Sequence, residues 1–219
     1  MAVLNFKLLL LFMIILSIFI CSLATKSFST ESFLKCFSSH VQQNSNHDPV
    51  SSEIILTKNS SSYSSVLQSS IRNERFLRSP SPLKPEIILT PFHESHVQAA
   101  VVCSVQHDLQ IRVRSGGHDY EGLSYISDHI SPFMIIDLVN FRSIRVSIEK
   151  EVAFVEAGAS LGELYYKIAE KSRVHGFPAG SCPTVCHAPT YTIYVGERLR
   201  RRGPGRHLTY LLNLILKKF

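Results

Sequence analysis

Hydrophobic positions change period several times along this chain, and each change predicts an element. Thr30-Glu-Ser-Phe-Leu-Lys-Cys-Phe37 places Phe33, Leu34 and Phe37 on one side of a short helix. Residues 42–63 are rich in Ser, Asn and His and read as loop, followed by a helical turn over 63–72. Pro85-Glu-Ile-Ile-Leu-Thr90 is an apolar run of strand length bounded by prolines. A helix is predicted from His93 to His107, with Val97, Ala100, Val101 and Val105 at helical spacing. Gln110 to Ser115 alternates as a strand. Together these make a β-α-β unit that ends on Gly116-Gly117-His118, where α/β folds tend to hold ligands. Pro132 to Asp137 reads as another buried strand. Ile144–Ile148 and Val152–Glu156 read as two more, joined by a turn at Glu149-Lys-Glu151. Ser160-Leu-Gly-Glu163 is a capping box, and Leu161, Leu164, Tyr165, Ile168 and Ala169 line one face of a helix running to about Arg173. No internal repeat is visible.

The first 24 residues follow a different logic. Lys7 precedes an apolar run from Leu8 to Ile20, and Ser22-Leu-Ala24 suits a small-residue cleavage site. The run falls short of the roughly 20 residues needed to span a bilayer. A cleaved secretory signal peptide is therefore expected, with no membrane span in the mature chain. Secretion permits disulfides. Cys36, Cys103, Cys182 and Cys186 remain after Cys21 is lost, and their pairing stays open on sequence alone. Asn59-Ser-Ser61 is a glycosylation sequon in a Ser-rich stretch.

Charge changes the picture only at the end. The formal net charge is +6, yet residues 25–185 carry fifteen basic against sixteen acidic residues. The last 34 residues carry seven basic and one acidic residue, so the basic excess belongs to this tail. Clustered Arg can bind nucleic acid, but behind a signal peptide no nucleic-acid partner is expected. Cys186-His187 lacks a second ligand pair, so no metal is expected either. The fingerprint glycines of a dinucleotide Rossmann turn are absent.

Two segments carry candidate chemistry. Arg112-Val-Arg-Ser-Gly-Gly-His-Asp-Tyr-Glu-Gly122 ends a strand on a double glycine followed by His118. Taken alone it is a turn with an exposed His, or a backbone concavity for an anion. Gly176-Phe-Pro-Ala-Gly-Ser-Cys-Pro-Thr-Val185 holds Cys182 on a stiff, extended loop before Pro183. Taken alone that Cys is a small buried residue or half of a disulfide.

Together, Arg-Ser-Gly-Gly-His-x-Tyr-Glu-Gly and, some sixty residues on, Cys-Pro-Thr-Val resemble the berberine bridge enzyme-like family, plant FAD-linked oxidases of the vanillyl-alcohol-oxidase type. The resemblance covers about Glu31 to Val185, including Pro91, the Ala99–Cys103 segment and Ala157-Gly-Ala-Ser-Leu-Gly-Glu163. It implies an α+β fold: an incomplete FAD-binding domain of the PCMH type over 81–185. Ahead of it lie a helical and loop segment over 25–80 and the signal peptide over 1–24. It also implies a disulfide between Cys36 and Cys103, and bicovalent FAD. His118 would bond the methyl carbon on flavin ring position 8, and Cys182 ring carbon 6. Ser115, Gly116 and Gly117 would follow the phosphates, with Tyr120, Ser124 and Tyr125 as further contacts, the two tyrosines being equally readable as core. The implied reaction is hydride transfer from a small-molecule substrate, with O2 as oxidant and hydrogen peroxide as product, in a monomer of the cell wall, extracellular space or vacuole.

From Cys186 the family's Gly-rich run is replaced, so residues 186–219 read as a basic tail outside the family, from a frame change, a mis-spliced exon or a truncation. The family's catalytic Tyr and acid/base region has no counterpart here. An alternative is therefore a secreted glycoprotein without turnover.

Overall fold

A computed structural model describes residues 12–13, 28–44, 54–78, 84–127, 132–186, 194–198 and 200–201. Most of the signal-peptide reading and the end of the tail lie outside these residues. Among them, no helix is long and apolar enough to cross a membrane.

The chain opens with helix α1 (Thr30–Asn44), strand β1 (Ile55–Thr57) and helices α2 (Tyr63–Ser69) and α3 (Glu74–Arg78). The β-α-β unit is β2 (Ile87–Leu89), α4 (Glu94–Gln106) and β3 (Gln110–Arg114). Strand β4 (Phe133–Asp137) then inserts between β2 and β3, parallel to both, and β1 adds antiparallel on the far side of β2. β2 and β4 are buried on both faces, so every position is apolar up to Asp137. Ile87, Leu89, Met134 and Ile136 meet Phe33, Phe37, Ala99 and Ala100 of α1 and α4. Ile88, Phe133 and Ile135 meet Tyr63, Leu67 and Tyr125 on the opposite face. A second sheet pairs β5 (Ile144–Ser147) with β6 (Val152–Glu156) under helix α5 (Leu161–Lys171), around Val146, Val155, Leu164 and Ile168.

Four features differ from the sequence reading. Helix α1 extends to Asn44 rather than ending near Phe37, because Val41 continues its buried stripe. The loop predicted over 42–63 contains β1. Against the reading of no internal repeat, Glu53-Ile-Ile-Leu-Thr57 has the same sequence as Glu86-Ile-Ile-Leu-Thr90, and Ile55–Thr57 pairs with Ile87–Leu89, Leu56 opposite Ile88. On α4, Val101 and Val105 face solvent, Val105 at 79 % exposure. The buried face is Ala99, Ala100, Cys103 and Ser104, small residues that let α1 approach closely enough for the Cys36–Cys103 disulfide. Finally, the chain crosses the break placed at residue 186 into β8 (Tyr194–Arg198), which pairs with β6, and β9 (Arg200–Arg201), which pairs with β7 (His175–Gly176). β8 thus joins the second sheet, and β9 makes a separate two-stranded sheet with β7.

The capping box forms as the sequence implies. Ser160 Oγ accepts from Glu163 N, and the Glu163 carboxylate accepts from Ser160 N at 2.8 Å. Ser160→Ala is expected to lower stability by about 1 kcal/mol in urea unfolding, the usual value of an N-cap. A change under about 0.3 kcal/mol would mean the cap is redundant.

Candidate functional site

The site begins with a buried charge. Arg114, the last residue of β3, is fully buried, and its guanidinium donates to Asp137 Oδ2 from Nε at 3.0 Å and Nη2 at 2.5 Å. It also donates to the carbonyls of Leu67 and Val66, each at 2.8 Å. One side chain therefore fixes the ends of β3 and β4 and the end of α2. Asp137 Oδ1 in turn accepts from Val139 N and caps the 3-10 turn Leu138–Asn140. Burial pushes the Asp137 carboxyl up, against the downward pull of Arg114.

The chain leaves this anchor into the double glycine. Ser115 donates its hydroxyl to the Ala157 carbonyl. A Cβ on Gly116 would lie 2.8 Å from the Thr184 carbonyl oxygen and 3.2 Å from Cys186 Sγ. Gly117 has φ +69°, and a Cβ there would lie 1.7 Å from the Ser70 carbonyl oxygen. Both positions exclude a side chain, the second for conformation and space alike.

The Cys182 loop arrives from the other side, held by the first turn of α5. Leu161 N donates to Val185 O at 2.9 Å and Gly162 N to Pro183 O at 3.0 Å. The helix end whose other N–H groups are capped by Ser160 and Glu163 thus spends its remaining donors on this loop. Arg142 braces Glu163 through Nε at 3.0 Å and Nη2 at 2.5 Å.

The two motifs meet at one hydroxyl. Thr184 Oγ1 lies 2.9 Å from His118 Nε2 and 3.6 Å from Cys182 Sγ. Cys182 is exposed, and the Thr184 hydroxyl and N–H lower its thiol below the ordinary range, helped by Val185 N–H and the Arg72 cation. Arg72 also donates to the Gly116 carbonyl at 3.4 Å. Cys186 is the opposite case: burial pushes its thiol up. The reactive thiol of the pair is Cys182.

The remaining sequence candidates divide. Ser115, Gly116 and Gly117 form the turn itself. Ser124 has a buried hydroxyl oxygen without a hydrogen-bond partner. Tyr125 is 1 % exposed in the core beside Phe76, whereas Tyr120 is 88 % exposed. Neither tyrosine takes part in the Thr184 junction. Asn59 lies in the exposed turn after β1. Cys36, His40 and Cys103 bring ligand-type atoms within 4.8 Å of one another, but both sulfurs belong to the cystine. Thr184, Arg72 and Ser70 carry no sequence-level assignment. Thr184 could have been found from its place two residues after Cys182, while Arg72 and Ser70 reach the site only through tertiary packing.

The glycine turn packs against the chain's own Thr184, Cys186 and Ser70, and beside it stand an exposed thiol and an imidazole. A family model for an FAD-binding domain matches residues 85–205. The chain belongs to the berberine bridge enzyme-like branch of that family. It is 51 % identical over 164 residues to tetrahydroberberine oxidase of Berberis wilsoniae, covering 75 % of this chain and 29 % of the relative. It is 49 % identical over 174 residues to berberine bridge enzyme-like 19 of Arabidopsis thaliana, covering 80 % and 30 %. Among solved structures it resembles Phl p 4, a grass pollen allergen with glucose dehydrogenase activity, with TM-score 0.63, 45 % identity, and 70 % and 29 % of the two chains covered. The FAD-binding PCMH-type fold is thereby shown. The family match runs past Val185, as β8 and β9 do. The chain spans less than a third of the length of these relatives.

Proposed function

We propose that this chain supplies the cofactor-anchoring part of an FAD-linked oxidase, with His118 and Cys182 each bonded to the flavin. The observation that supports it is the Thr184 junction, where residues far apart in sequence converge on one hydroxyl. When bound, FAD supplies a hydride acceptor for a small-molecule substrate and is reoxidised by O2, giving hydrogen peroxide. The protein's own share is holding and orienting. Ser115 to His118 would present backbone N–H groups to the phosphates. Arg114 and Asp137 keep that turn in place from below, and the α5 N-terminus holds the Cys182 loop against it. The protein is further proposed to act as a secreted, glycosylated monomer, modified at Asn59.

Full-length protein carrying this segment, precipitated with acid, is expected to keep its yellow chromophore in the pellet. The His118→Ala, Cys182→Ala double variant is expected to release it to the supernatant. Release from the unmutated protein sinks the covalent reading. The 219-residue chain by itself leaves Cys182 and Thr184 open to solvent.

A further inference from the structure

We propose that the Thr184 hydroxyl is a shared positioning group that readies His118 and Cys182 together. A hydroxyl has one proton to give and lone pairs to receive. It sits 2.9 Å from one ring nitrogen and 3.6 Å from one sulfur, so it cannot donate to both. When Cys182 is a thiolate the sulfur can only accept, and Thr184 donates to it. Nε2 of His118 must then be the donor to Thr184, which places a proton on Nε2. The Cys182 S–H proton leaves to the solvent that the thiol faces. If instead Nε2 is bare, Thr184 donates to it, and the sulfur loses its hydroxyl donor. Sulfur ionisation and protonation at Nε2 are therefore set by one O–H.

The other groups facing Cys182 agree in sign. Arg72 approaches from the segment after α2, and the N–H groups of Thr184 and Val185 point at the sulfur. Cys186, four residues on, has its thiol pushed up by burial against the opposing Ser115 hydroxyl, with Glu163 and Asp137 adding to the rise and Arg142 opposing it. It receives nothing from Thr184, so the arrangement selects one of two neighbouring thiols. The relevance of this pair to flavin rests on the attachment reading above; the coupling itself does not.

The test uses the full chain without flavin. Alkylation of Cys182 by iodoacetamide is followed against pH, with peptide mapping to separate Cys182 from Cys186, and the His118 ring nitrogens are read by NMR. Thr184 is exposed, so its variants should keep the fold, checked by circular dichroism. Thr184→Val is expected to slow Cys182 alkylation severalfold at neutral pH and to move its midpoint to higher pH. It should also remove the Nε2–H preference of His118. Thr184→Ser is expected to restore both, and Cys186 should be unaffected. An unchanged Cys182 profile in Thr184→Val, or a Thr184→Ser variant as slow as Thr184→Val, overturns the proposal. Because no flavin is present, this outcome is separate from the acid-precipitation result, which tests attachment alone.

Discussion

Arg114→Ala is expected to lower folding stability by about 3–5 kcal/mol, the usual cost of removing one partner from a buried ion pair. The side chain is fully buried, and its loss strands the Asp137 carboxylate at 2 % exposure together with the carbonyls of Leu67 and Val66. Few domains have more than about 5–15 kcal/mol in total, so the variant should sit near the edge of folding. The pH dependence has a defined sign. Burial already raises the Asp137 carboxyl, and Arg114 opposes that rise. Removing Arg114 raises it further, so the folded variant holds a proton more tightly than the unfolded chain. The group's contribution is then favourable at low pH and is lost as pH rises through the folded value. The defect should be largest near neutrality and shrink in mild acid. Urea unfolding at two pH values reads both effects. A defect below about 1 kcal/mol, or one that grows in acid, contradicts this account of the pair.

Loss of the Cys36–Cys103 disulfide is expected to cost about 2–5 kcal/mol. The bridge joins residues 67 apart, tying α1 to α4. Opening it frees a long stretch of unfolded chain that includes β1, α2 and α3, all of which pack on the main sheet. The Cys36→Ser, Cys103→Ser variant should lose midpoint stability in urea, and the reduced unmutated protein should match it. Free thiols at both positions in protein from a secretory host would remove the bridge from the account.

The β-α-β unit was legible because its periods are clean: an apolar run between prolines, then an alternating strand ending on the double glycine. Helix α5 was legible from its cap. β1 was missed because the Ser- and Asn-rich surroundings masked three apolar residues, although the repeated Glu-Ile-Ile-Leu-Thr segment carried the signal. The core face of α4 was misread for a physical reason. Helical spacing alone favoured the valines, while a close helix pair joined by a disulfide needs small residues at its contact. Tail strands β8 and β9 could not be read because they form only by pairing with β6 and β7. At the site, His118 and Cys182 were legible as types in a spacing. Their common hydroxyl and the Arg72 cation exist only once two loops meet on the N-terminus of α5.

The central claim is that His118 and Cys182 grip one flavin. Mass analysis of proteolytic peptides from the full-length, FAD-containing protein tests it most directly. The expected result is a single species in which the His118 peptide and the Cys182 peptide are joined through one flavin, with the Cys186 thiol free. Recovery of both peptides at their unmodified masses from protein that holds FAD, or flavin on Cys186 in place of Cys182, would contradict it.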